Sequence, residues 1–149
     1  MSQIHELETL FSNFASLFDQ LSTLQKEKME AVHQDDLQRV DHCMQQEQAL
    51  VLQLRGLQRQ KDSLHEALGL SGVPLKKISE HLSPADRTLL APSISRFQTA
   101  YQIYQSAAAA SRALLESTLQ EIDRQLAHMK KPASVAAPGA QGSFTDIKA

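Results

Sequence analysis

Helix breakers are almost missing from the first 68 positions of this chain: no proline precedes Pro74, and Gly56 is the only glycine before Gly69. Proline removes a helical hydrogen bond and glycine loosens the backbone, so a stretch that avoids both can form long helices. The apolar residues show which way those helices face. Leu7, Leu10, Phe14, Leu17, Leu21 and Leu24 alternate steps of three and four, with Phe11 and Phe18 widening the stripe into one broad apolar face. The stripe fails at Lys28. The polar run His33, Gln34, Asp35, Asp36 then predicts a tight turn, with Asp35 or Asp36 capping a second helix.

That second helix is expected from about Asp36 to Leu68, its inner face formed by Leu37, Val40, Met44, Val51, Leu54, Leu57, Leu64 and Leu68. Glu47 and Lys61 intrude on the seam. Gly69 suits the residue just past the helix, because glycine takes the left-handed conformation freely. Residues 70–82 contain Gly72 and Pro74 and then room for two helical turns carrying Leu75, Ile78 and Leu82, which predicts a packed connector. Ser83, Pro84 and Asp86 form a strong helix start, supplying a cap oxygen, a preset first position and a negative charge at the positive helix end. Pro92 either ends a short helix near Leu90 or kinks a long one. Beyond it, Ile94, Phe97, Tyr101, Tyr104, Ala108, Ser111, Leu115, Ile122 and Met129 keep a near-heptad register as far as Lys130, with Lys130 and Lys131 at the negative end and Pro132 as the stop.

At 149 residues the chain has the size of one domain. It is 42% apolar but only 5% aromatic and contains no tryptophan, a poor composition for strands. The expected fold class is all-α: an antiparallel helical bundle of three long helices with a short connector helix over residues 1–131, followed by a disordered C-terminal tail over 132–149. The tail is rich in Ala, Gly, Pro and Ser and cannot bury enough surface to order itself. Lys and Arg total 15 against 17 for Asp and Glu, so no basic excess is available for nucleic acid. No window approaches the roughly 20 apolar residues of a membrane span, and the N-terminus has no basic stretch leading into a long apolar one, which reads as a cytoplasmic protein. A single Cys43 cannot form an internal disulfide, in keeping with a reducing compartment.

Residue patterns for chemistry are weak. A zinc-protease helix needs His-Glu with a second His four residues after the first, whereas His5-Glu6 leads to Thr9 and His65-Glu66 to Gly69. His42 and Cys43 are adjacent and so diverge by about 100° on a helix; a buried Cys beside a solvated His is the plainer reading. The glycines form no phosphate-binding loop. Pairs such as Glu27 with Glu30, or Glu121 with Asp123, sit on polar helix faces where charge ordinarily serves solvation. Tyr101 and Tyr104 could anchor a partner, but a core contribution with hydroxyls at the rim is the simpler assignment. Ala107 to Ala110 with Ser111 would let another helix approach closely, or simply favour helix. No enzyme activity, cofactor or metal is expected.

Leu114, Leu115, Leu119, Ile122, Leu126 and Met129 stand apart, because the third helix outlasts its partners. A helix of about 45 residues spans roughly 68 Å, while partners of about 30 span roughly 45 Å. Either part of the stripe is left exposed, as in helix-in-groove binding or self-association, or Pro92 folds the start of the helix away so that everything is covered.

Two long antiparallel helices, a connector, a third long helix and a loose tail resemble the FlgN family of flagellar export chaperones, and the likeness covers the whole chain. Its best local match runs from Glu47-Gln48-Ala49-Leu50 through Leu54, Leu57, Arg59, Leu64, Leu68 and Gly69, similar to the family's Glu-rich, Leu-spaced second helix closing on Leu-Gly. Leu114-Leu115-Glu116, the tail's Gly139-Ala140-Gln141-Gly142 and the final Lys148-Ala149 also resemble family segments. Ser111 and Arg112 stand where members often carry an Asn before the Leu-Leu pair, and Pro138 where an aromatic often precedes the Gly-x-x-Gly. The resemblance implies a cytosolic chaperone that holds the hook-filament junction proteins FlgK and FlgL by their C-terminal amphipathic helices and delivers them to the export gate. On that reading Leu115, Leu119, Ile122, Leu126 and Met129 contact the substrate, and Phe144 docks the tail at the export apparatus. The alternative is a structural coiled-coil protein whose seams serve only self-association.

Overall fold

The computed structural model describes residues 3–129, which form α1 (Gln3–His33), α2 (Leu37–Ala67), a 3-10 helix (Leu75–His81) and α3 (Pro84–Met129), with no strand among them. The expected all-α bundle is therefore present. The expected tail, Lys130 and the side chain of Leu75 lie outside the described residues.

Each boundary follows from local chemistry. Asp35 ends α1 in the left-handed region at φ 56°, where the Asp36 N–H reaches the Ala31 carbonyl (2.9 Å) and the Asp35 N–H the Val32 carbonyl (3.1 Å). This pair of bonds closes a helix C-terminus with an Asp in the position usually given to Gly. Asp36 then caps α2 at once, its carboxylate accepting from the Arg39 N–H at 3.1 Å, so the three residues Gln34, Asp35 and Asp36 reverse the chain. At the far end of α2 the same closure recurs with Gly69 at φ 74°, which points Leu70 into the core. Ser83 Oγ accepts from the Asp86 N–H (3.2 Å) to open α3.

Pro92 does not end this helix: α3 runs unbroken for 46 residues. Proline leaves one carbonyl of the preceding turn without its donor, and the burial of Leu90 and Phe97 on either side of it offsets that loss.

Helix α1 is central: both α2 and α3 pack along it, with no comparable backbone approach between α2 and α3. Gln25 and Lys28 meet Glu47, while Leu10 and Asn13 share a groove with Gln60, Ser63 and Leu64, so α1 and α2 are antiparallel. Phe14 meets Phe97 and Phe18 meets Tyr101 (centroids 5.6 and 5.2 Å), so α3 runs parallel to α1. A helix clasped on two sides needs two apolar faces, and this explains the broad stripe of α1, in which Phe11, Phe14 and Phe18 turn towards α3. Ile78 of the connector is fully buried and plugs the end where α3 begins.

Two expectations about the α1–α2 seam need correction. Leu37 and Met44 do not face inward: Leu37 is 80% exposed, and Met44 is exposed as well. The buried line of α2 instead steps by threes and fours through Val40, Cys43, Glu47, Leu50, Leu54, Leu57, Lys61, Leu64 and Leu68. Leu37, Met44 and the half-buried Val51 are seven apart and form a second stripe on its flank. Nor does the face of α1 end at Lys28, which is buried: its Nζ donates to Glu47 Oε1 at 2.9 Å while Gln25 Nε2 donates to Oε2 at 2.7 Å. One carboxylate thus takes both donors, meeting the condition under which a desolvated charge is tolerated.

His65, buried on α2, titrates against the fold. Its Nδ1 lies 3.0 Å from the Lys61 carbonyl, which can only accept, so Nδ1 carries the proton and Nε2 is left buried without a partner. Burial pushes its pKa below the ordinary 6.5. A depressed histidine contributes stability above its unfolded pKa and loses it as pH falls below about 6.5. His65→Gln should therefore flatten the fall in melting temperature as the pH drops below about 6.5; an unchanged acid slope would mean that other groups set it.

Candidate functional site

The parallel register fixes how far α3 outlasts its neighbour. Arg96 reaches the Ser12 carbonyl (3.5 Å) and the Ser16 hydroxyl (3.3 Å), pairing residues about 80 apart, and further along Met29 faces Ile103 and Ser106 across one surface groove. His33, the last residue of α1, is then level with about residues 110–116 of α3. The remaining turns run past the hairpin by roughly 20–28 Å at about 1.5 Å per residue.

Burial marks the same boundary. Ser111 is the last buried residue of α3, and every residue from Leu119 to Met129 is exposed. Leu119 (61% exposed), Ile122 (45%), Leu126 (53%) and Met129 (74%) follow one another in steps of three and four, and the half-buried Leu115 starts the row one turn earlier. At about 100° per residue this row lies on the face of α3 that carries Leu90, Phe97, Tyr104 and Ala108 inside the bundle. The five residues expected to be one apolar stripe are on one face, and that face is the α1-binding face of α3 continued beyond the end of α1. Leu114, half-buried, lies off this row.

Both polar edges of the overhang carry charges of both signs. On one side Glu121 is paired with Arg124 and accepts from Gln125. On the other, Arg112, Glu116 and Asp123 are exposed.

At the base of the overhang the core turns polar. Tyr104 is buried and its phenol is pushed up to about 12, first by desolvation and then by the Glu47 carboxylate. Burial likewise raises the Cys43 thiol, so Cys43 is inert packing beside an exposed His42. Tyr101 is half-buried and stacks with Phe97. Both tyrosines belong to the core.

No group of three or more His, Cys, Asp or Glu side chains among the described residues could hold a metal ion. A groove of about 700 Å³ between the start of α1 and the end of α2 is at the opposite end of the bundle and is walled by Thr9, Asn13, Gln60 and Ser63 among others. His5, Glu6 and Arg59 also line it, with Leu10, Leu64 and Ala67 as its apolar floor. No helix of the described residues is long and apolar enough to cross a membrane.

No curated protein and no solved structure matches the chain. A family model described as FlgN protein matches residues 1–141, nearly the full length and including all three helices. That family is one of flagellar export chaperones, and membership implies such a role here. A central helix clasped by two others, with a third helix that outruns its cover, is the architecture on which this match falls, and the chain belongs to the FlgN family.

Proposed function

We propose that this protein is a cytoplasmic export chaperone whose overhanging stripe Leu115, Leu119, Ile122, Leu126 and Met129 takes the C-terminal amphipathic helix of the hook-filament junction proteins FlgK and FlgL. The observation that carries this reading is the uncovered row at the end of α3. An apolar helix face left in water is a ready seat for a second amphipathic helix, and such a seat would shield a segment prone to self-association until export. Residues 132–149 then form a tail that tethers the loaded chaperone at the export gate, with Phe144 as its aromatic anchor.

The test pairs binding with export. Labelled peptides of the FlgK and FlgL C-terminal helices are titrated with the whole chain, and saturable one-to-one capture by a monomer is expected. A chain ending at Lys131, or Phe144→Ala, should still capture the peptides but secrete less FlgK and FlgL. A tight dimer indifferent to both peptides defeats the chaperone reading in favour of self-association. Full secretion by the truncated chain removes the role given to the tail.

A further inference from the structure

Residues 130–149 continue the chain from the free end of the exposed row, and their length decides what they can reach. The row climbs from Leu115 to Met129 over about 21 Å of helix axis at about 1.5 Å per residue. A strand of Ala-, Gly-, Pro- and Ser-rich composition has an r.m.s. length of about 5–6 Å times the square root of its residue number, which is roughly 20 Å for the stretch from Met129 to Phe144. Length and span match. That is the condition under which a tether gives its highest effective concentration, on the order of a millimolar. The segment also carries the right side chains. Its larger apolar residues are Val135, Phe144 and Ile147, and Ser143-Phe144-Thr145-Asp146 has the Ser-x-x-acid spacing that opens a helical turn. A turn opened there puts Phe144 and Ile147 on one side. Four of the nine exposed large apolar side chains among the described residues lie on the row, so the row is the surface such a pair would meet first.

We propose that residues 143–148 of this same chain occupy the seat when it is empty: Phe144 and Ile147 lie on the row around Leu119, Ile122 and Leu126, and the arriving helix of an export substrate displaces them. The inference rests on the reading of the overhang as a helix seat and of the tail as a tether, and adds an internal competitor that makes the two roles exclusive. Phe144 held on the row is not free to dock at the export gate, so an unloaded chaperone withholds its own anchor and loading releases it. Magnitudes favour this occupant over a second copy. A contact of two side chains has a Kd on the order of a millimolar between separate molecules, yet at a millimolar effective concentration it covers the seat about half of the time. The same contact between chains at micromolar concentration would be almost empty.

The chain contains no tryptophan, so Phe144→Trp in the full chain is a single reporter that keeps an aromatic ring in the tail. Its emission should be shifted to the blue of a free peptide of residues 132–149 bearing the same substitution. Saturation with the FlgK C-terminal helix peptide should return it to that of the free peptide, as should Leu126→Asp in the same chain, and the shift should not depend on protein concentration. In parallel, the FlgK peptide is titrated into the unsubstituted chain, a chain ending at Lys131 and the variant Phe144→Ala/Ile147→Ala. Removing the competitor should tighten binding about two- to tenfold in both altered forms, the inverse of the fraction of time the seat stands open. Equal affinities with free-peptide emission throughout overturn the internal competitor and leave the seat standing. Weaker binding by the truncated chain also overturns it, since the tail would then help to hold the substrate. A shift that grows with protein concentration assigns the cover to a second copy and overturns it too. Failure of all three forms to bind the peptide defeats the seat, and this inference with it.

Discussion

Phe97→Ala should cost about 3–5 kcal/mol of folding stability, the range for truncating a fully buried aromatic ring. Phe97 is the point where α3 grips α1: its ring lies 5.4 Å from that of Phe11, 5.6 Å from Phe14, 6.0 Å from Phe18 and 6.2 Å from Tyr101. Removing it empties the middle of the aromatic cluster and forfeits edge and offset ring contacts of roughly 0.5–1.5 kcal/mol each in addition to the lost burial. A small domain is stable by only about 5–15 kcal/mol in all, so the urea midpoint and the melting temperature should both drop steeply. Leu89→Ala, about two turns before Phe97 on an exposed part of the same helix, serves as the control and should shift stability by no more than about 0.5 kcal/mol. A Phe97→Ala chain within about 1 kcal/mol of the parent would mean that the α1–α3 joint does not hold the bundle together.

Leu126→Asp should have the opposite profile, leaving the fold intact and removing capture of a partner helix. In the free chain Leu126 is 53% exposed, on a stretch of helix with no other described element packed beside it, so the new carboxylate stays hydrated and the melting temperature should hold. In the complex that carboxylate would sit in the centre of an apolar seam. Burying it there without a partner costs several kcal/mol, which corresponds to at least a hundredfold loss of affinity. Circular dichroism and peptide titration on the same sample check both halves. If Leu126→Asp melts as early as Phe97→Ala, the end of α3 is core; if it binds as well as the parent, the seat lies elsewhere.

The comparison of these two variants also shows how far the sequence could be read. Phe97 and Leu126 belong to the same pattern, apolar residues in steps of three and four on one helix, and periodicity gives both the same face. It cannot say which of them is covered. The estimate of helix lengths came close, because α3 has 46 residues against 31 for α1, but where the excess falls depends on the register and on α3 continuing past Pro92. Along α2 the reading went astray for the same reason. The expected inner face combined Leu37, Met44 and Val51 with Val40, Leu54, Leu57, Leu64 and Leu68 and took Glu47 and Lys61 as intrusions, since a charged residue counts against a seam. The buried line is fixed by Leu54 and Leu64 packing into the core, and Lys28 and Gln25 opposite Glu47 let a carboxylate sit on it.

Helix positions, the turns at Asp35–Asp36 and Gly69, the start at Ser83 and the all-α class were determined by the sequence itself, because each rests on interactions within a few residues: breakers, caps, left-handed closures and the period of the apolar residues. The tertiary structure decided what depends on residues far apart in the chain. It made α1 the central helix, turned a lysine and a glutamate into an interior pair, carried α3 straight through Pro92, and set the register that leaves Leu119 to Met129 uncovered. Burial is a property of neighbours, and a stripe becomes a core or a binding surface according to whether another helix reaches it.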